Sequence, residues 1–170
     1  TPLYKQLFDA LERKGVKNRV HVTVQKEHYS KIKYANNKDF SFSRVPQLRL
    51  FRAMYFPKIN RAYRVLKKEV KRDRPGLIHA HTFLSDGAIA WRLNKKFDIP
   101  YFAVVRYTDL LFLKKYWVAR WMMKKIAREA SHVVFVSMGH TEEFLSYYDE
   151  EYRCESGGDF RYFMNWCLLD

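Results

Sequence analysis

Five polar residues close short apolar runs in this chain. His81 follows the run 77–80, Arg106, Thr108 and Asp109 follow 101–105, and Ser137 follows 132–136. These residue types hold protons, move protons or bind anions. An imidazole at a strand end can meet a hydroxyl or a phosphate while neutral. Arg106 can bind an anionic phosphate group, and Asp109, three residues on, can orient or deprotonate a hydroxyl. The plainer reading of Arg106 and Asp109 is a local ion pair, worth little if exposed. Thr108 can equally cap a following helix, and Ser137 can equally serve only to form a turn. His79 lies two residues before His81 and so shares its strand face. Nothing else supplies ligands at zinc spacing, so no metal is expected.

The elements that position these residues follow from the pattern between them. Three apolar runs alternate with two helix-length segments over residues 76–137. That order is strand, helix, strand, helix, strand, which predicts a parallel α/β sheet flanked by helices. In such sheets ligands sit beyond the carboxyl ends of the strands, where the five residues fall. Ser85-Asp86-Gly87 opens the first of these helices, with Ser85 as its expected cap. The free backbone N–H groups there can hold an anion, although Asp86 opposes one and plain capping is the simpler reading. Residues 110–130 predict one amphipathic helix with Phe112, Ala119, Met122, Met123 and Ile126 on its apolar side. Trp117 and Trp121 fall instead among Lys114, Lys124, Lys125 and Arg128.

Upstream, Thr1-Pro2 is a helix start, with Leu3, Leu7, Phe8 and Leu11 at helical spacing and Gly15 as the C-cap. Val20, Val22 and Val24 alternate with polar residues, as in a strand. Residues 26–40 read as a loop and 40–45 as a short edge strand. Pro57 is expected to break or open a helix. That helix carries Ile59, Ala62, Tyr63, Leu66 and Val70 on one face. Arg61, Arg64, Lys67, Lys68, Lys71 and Arg72 cover the other. Asp73-Arg74-Pro75-Gly76 ends it. Residues 141–148 read as a last helix, and 149–170 form an acidic, aromatic tail of unassigned structure.

Charge divides as sharply as hydropathy. Residues 44–74 carry eleven Lys or Arg against Glu69 and Asp73, and residues 111–130 carry six against Glu129. Those two stretches account for the whole net charge of +14. Such localisation implies an anionic partner: a phospholipid surface, a nucleic acid or a phosphorylated substrate. No run approaches the roughly 18 apolar residues a membrane span needs. No signal peptide is expected, because residues 1–10 lack an apolar core flanked by charge. Cys154 and Cys167 match no metal or redox motif, so free thiols in a reducing cytosol are expected.

Several segments resemble the N-terminal domain of family 4 glycosyltransferases, which have the GT-B fold. They are Ile78-His79-Ala80-His81, Gly87-Ala88, Ile99-Pro100-Tyr101, Val104-Val105-Arg106-Tyr107-Thr108-Asp109, and 130–137 with the sequence ASHVVFVS. The resemblance covers residues 1–148 and implies a Rossmann-like domain, the N-terminal half of a GT-B fold. It implies transfer of a sugar from a nucleotide-sugar donor to a lipid-linked or polysaccharide acceptor, without a bound metal or other cofactor. The N-terminal domain supplies the acceptor side of the cleft. The donor site belongs to a C-terminal domain with a glutamate-rich motif that this sequence does not contain. Asp109 and His81 are then the candidate catalytic residues, and Arg106, Thr108, Ser137 and Gly87 the candidate substrate contacts.

The departures from the family pattern are specific. Many members carry a His-Asp pair where this chain has Arg106-Tyr107-Thr108-Asp109. The arginine form resembles a subgroup of bacterial surface-polysaccharide enzymes. The first strand with its glycine-rich loop and the Pro-Asn-Gly turn toward the second domain are not in this sequence. These departures predict a fragment, inactive alone. Trp among Lys and Arg is a composition suited to a membrane interface. Location at the inner face of the cell membrane is therefore expected, peripheral and cytoplasmic. The surface would comprise Arg61, Arg64, Lys67, Lys68, Lys71, Lys114, Trp117, Trp121, Lys124 and Lys125. A solvated cationic face is the plain alternative. The competing function is a basic α/β module that binds nucleic acid, although no signature of such a module is present.

Overall fold

The computed structural model describes residues 2–25, 40–45 and 51–147. The expected loop at 26–40 lies almost wholly outside them, as do the Thr1 cap, both cysteines and the tail. The chain divides into two compact units, residues 1–66 and 67–170.

In the first unit, helix α1 (Pro2–Arg13) ends where the sequence indicates. Gly15 has φ +75°, and its N–H bonds the carbonyl of Glu12 while that of Val16 bonds Leu11. This is a Schellman stop, which a residue with a Cβ would strain. Strands β1 (Val20–Gln25) and β2 (Phe40–Val45) pair in parallel, with Val20 opposite Phe40. Across the pair the His21 Nε2 and the buried Ser43 hydroxyl lie 3.0 Å apart in a hydrogen bond. Burial holds the His21 imidazole down at about 4, so it is neutral at neutral pH.

Helix α2 (Phe51–Arg72) corrects the expectation at Pro57, which lies inside it. Proline removes one bond, to the carbonyl four residues back, and its ring crowds that carbonyl. The twenty-two-residue helix continues through it. Its faces are as the spacing predicts: Ile59, Ala62 and Val70 are buried, and Arg61, Arg64, Lys68 and Lys71 are exposed.

The second unit is built on three parallel strands in the order β3 (Ile78–Ala80), β4 (Tyr101–Val105), β5 (His132–Phe135). Helix α3 (Ser85–Phe97) packs on β3, β4 and helix α5 (Trp117–Glu129). Helices α4 (Tyr107–Lys115) and α6 (Met138–Leu145) complete it. This is the expected Rossmann-like α/β sheet flanked by helices. On β4, Tyr101, Ala103 and Val105 are wholly buried. The Tyr101 hydroxyl donates to the Ile126 carbonyl at 2.6 Å, tying the strand to α5. Phe144 of α6 packs edge-on against Phe83 and Phe135. Among the described residues no helix is long and apolar enough to cross a membrane.

Two boundaries differ from those expected. The single helix over 110–130 is two, α4 and α5, parted at an extended Tyr116 with φ −128° and ψ 120°. Arg120 stabilises the break by donating to the freed carbonyls of Leu113 at 2.9 Å and Lys114 at 3.2 Å. The last helix begins at Met138 rather than at Thr141.

Candidate functional site

The site lies beyond the carboxyl ends of β3 and β4, and Asp109 ties its loops together. Asp109 is only 4% exposed and accepts three backbone hydrogen bonds. Phe83 N–H donates to Oδ2 at 3.2 Å, Leu84 N–H to Oδ1 at 3.0 Å and Arg106 N–H to Oδ2 at 3.0 Å. The first two donors belong to the loop after β3, and the third to the residue that ends β4. One carboxylate therefore fixes both loops and caps α4. Thr108, by contrast, is an exposed residue inside that helix, not its cap. Burial raises the Asp109 pKa, opposed by the bonds from Leu84, Arg106 and Phe83 and aided by the charge of Asp86.

The loop after β3 is also held from within. Thr82 N–H donates to Asp86 Oδ2 at 3.1 Å, and Asp86 N–H to Thr82 Oγ1 at 3.2 Å. This reciprocal pair does the work expected of Ser85, whose preceding residue Leu84 is the N-cap and makes no side-chain cap bond. The Asp86 carboxylate turns back onto the loop. Gly87, expected to touch substrate, is buried. A Cβ at Gly87 would lie 3.1 Å from the Ile126 methyl and 3.5 Å from Ala103. Its N–H already donates to the Thr82 carbonyl at 2.9 Å. Gly87 is where α3, β4 and α5 pack closely.

His79 and His81 share a face, as their spacing predicts. Their rings stack at 3.9 Å, and His79 stacks on Phe102 at 4.2 Å on the other side. Burial, then the charges of His81 and Arg106, push His79 down to about 4. Burial also lowers His81, with Asp86 opposing and Arg106 reinforcing the shift. Both imidazoles are therefore neutral at neutral pH and can accept a hydrogen bond or a proton. The common influence of Arg106 places one cation close to both rings. Ser137 is the exposed N-cap residue of α6, just past β5, and its side chain makes no cap bond.

His81, Arg106 and Asp109 thus lie at the carboxyl ends of β3 and β4, and Thr108 and Ser137 are exposed, one in α4 and the other at the start of α6. Among the described residues no three metal-ligating side chains gather. On α5, Trp117 is 77% and Trp121 49% exposed, as their place off the apolar side requires. Lys114 belongs to α4 instead. Two participants were not read from the sequence. Phe102, which backs the histidine stack, was counted only as part of an apolar strand. Trp91, which faces Lys125, sits one turn before Lys95 on α3, and that spacing was the available signal.

The model of glycosyltransferase family 4 matches residues 4–153, so the chain belongs to that family. Neither a curated protein nor a solved structure matches it.

Proposed function

We propose that this chain is the acceptor-binding, N-terminal half of a GT-B glycosyltransferase of the bacterial surface-polysaccharide type. It moves a sugar from a nucleotide-sugar to a lipid-linked or polysaccharide acceptor at a membrane surface. The observation that carries this reading is that a family 4 chain sets His81 and Arg106 at the carboxyl ends of neighbouring parallel strands. The acceptor hydroxyl displaces the leaving group directly at the anomeric carbon. Its new C–O bond forms as the bond to the nucleoside diphosphate breaks, and its proton passes to His81. Arg106 holds an anionic phosphate. Thr108 and Ser137 offer hydroxyls to the sugar.

Asp109 is a positioning residue in this scheme, because both its oxygens already accept backbone N–H groups. In this reading the donor nucleotide-sugar is bound by the other half of the GT-B fold. The chain works from the cytoplasm, peripheral on the inner face of the cell membrane, with its cationic helices toward the lipid.

The test is transfer from a labelled nucleotide-sugar to a membrane-lipid extract, with the chain joined to a donor-binding domain. His81→Gln is expected to lower kcat/KM by about 10²–10⁴. The wild-type rate should hold steady down through neutral pH and decline only below pH 6.5, because the His81 pKa lies under that ordinary value. A His81→Gln enzyme with wild-type kcat/KM would overturn the assignment.

A further inference from the structure

An imidazole turns about two side-chain bonds, so a histidine base needs something beyond its own backbone to aim it. His81 follows the last residue of β3, and His79 lies two residues back on the same sheet face. The two rings stack at 3.9 Å with their planes 29° apart. On its other face the His79 ring meets Phe102 at 4.2 Å and 27°. His79 and Phe102 are register partners across β3 and β4, so strand pairing itself sets them side by side. Three half-buried rings thus form a column that starts on β4, crosses to β3 and ends at His81.

Stacking suits a base for two reasons. It engages the ring face, whereas both ring nitrogens lie in the ring plane and keep their hydrogen-bonding directions. Close, near-parallel rings also resist rotation about the last side-chain bond, because turning one drives its edge into the other. The electrostatics agree with this geometry. Burial first, then the charges of His81 and Arg106, hold His79 down to about 4. His79 therefore stays neutral when His81 takes a proton. A neutral aromatic face accommodates the imidazolium, which a second cation would repel.

We propose that His79 is a positioning residue, whose ring, backed by Phe102, holds the His81 imidazole in the orientation that takes the acceptor proton. This rests on the reading of His81 as the proton acceptor and names the residue that aims it. The aim of the base is then set by the paired strands rather than by the loop that follows β3.

The test is the transfer assay, with the chain joined to a donor-binding domain, on H79F, H79L, H81Q and H79L/H81Q. Leucine fills similar space without a flat face, so H79L loses the stack and H79F keeps it. H79L should lower kcat about tenfold with little change in acceptor KM, part of the 10²–10⁴ that general-base catalysis supplies. H79F should restore the rate to within about twofold of the wild type. In the H81Q background H79L should cost nothing more, because no base is left to aim. A merely structural role predicts the same loss in both backgrounds. Proton NMR of the 170-residue chain reads the stack apart from activity, as a nuclear Overhauser effect between the His79 and His81 rings. Urea midpoints are measured alongside; if H79L does not fold, F102L removes the backing ring instead and is judged by the same comparison with and without H81Q. Wild-type kcat in H79L, equal losses in the two backgrounds, H79F as impaired as H79L, or no ring-to-ring effect would each overturn the positioning role while His81 stands. Wild-type kcat/KM in H81Q overturns the base reading, and this inference with it.

Discussion

Replacing Asp109 distinguishes a carboxylate that builds the site from one that performs its chemistry. In Asp109→Ala the N–H groups of Phe83, Leu84 and Arg106 all lose their acceptor at a position only 4% exposed. A buried donor left unpaired costs about 1–3 kcal/mol, and three near the low end, with some loop relaxation, give about 4 kcal/mol. Asp109→Asn is milder for a geometric reason. Oδ2 serves both Phe83 and Arg106, whereas Oδ1 serves Leu84 alone. An asparagine that places its one oxygen at Oδ2 keeps two bonds and turns its NH₂ toward the Leu84 N–H. One lost bond plus that donor–donor contact amounts to about 2 kcal/mol. The assay is urea unfolding followed by tryptophan fluorescence. With a slope of about 2 kcal/mol/M, the midpoint falls by about 2 M for Ala and about 1 M for Asn. The reasoning is refuted if the Ala midpoint stays within about 0.3 M of the wild type. It also fails if Asn keeps full stability yet abolishes transfer, for then the carboxylate acts on substrate.

Other expectations follow from the same geometry. Gly87→Ala gains up to about 1 kcal/mol of helix propensity, but its Cβ meets the fully buried Ile126 at 3.1 Å. The two effects nearly cancel, whereas Gly87→Val, with two more carbons in the same place, should lose about 2 kcal/mol or more in the same urea assay. His79 is protonated in the unfolded chain below about its ordinary 6.5, but in the fold only near about 4. The unfolded state therefore binds more protons between those values, and stability is lost as pH falls through the window, by up to about 1.4 kcal/mol per unit. His79→Phe keeps the stacking and should flatten that slope; an unchanged slope places its origin elsewhere. Asp109 has the opposite sign, because its folded pKa is raised from 3.8. The fold holds that proton longer, so this carboxyl's contribution declines as pH rises from 3.8 to the raised value, and Asp109→Asn should remove the decline.

What could be read from residue order alone was whatever depends on local periodicity. The alternation in 20–24, the apolar runs before His81 and Arg106, and the φ-permissive Gly15 each carry their structural cause within a few residues. The break at Tyr116 does not. No glycine or proline marks it, and the carbonyls it frees are met by Arg120, whose reach back to Leu113 is visible only once the chain has turned. Pro57 shows the converse: a strong local signal gives way, and the helix runs on through it from Phe51 to Arg72. Ser85 and Thr108 had the chemistry of caps, but Asp86 and Asp109 have carboxylates that reach the open N–H groups. The histidine stack was legible as a shared face, although Phe102 behind it needed the β3–β4 register to be found.

The reassignment of Asp109 locates the chemistry more narrowly than its sequence position alone could. A general base needs a lone pair directed at the substrate. Asp109 directs both oxygens at backbone N–H groups, and for that reason the proposed proton acceptor at this site is another group. We propose His81 for that role because burial and Arg106 lower its pKa, while Asp86 opposes the shift. The proposed anion contact of Arg106 has a related support. The Arg106 backbone N–H is anchored by Asp109, so its side chain starts from a fixed root at the end of β4, the strand next to the one that His81 follows. The same carboxylate holds Phe83 two residues beyond His81. Thus the imidazole and the guanidinium share one support, and misplacing that support disturbs both. This is why Asp109 can matter to transfer without touching substrate. Only a variant that keeps the loop while losing the charge separates the two roles.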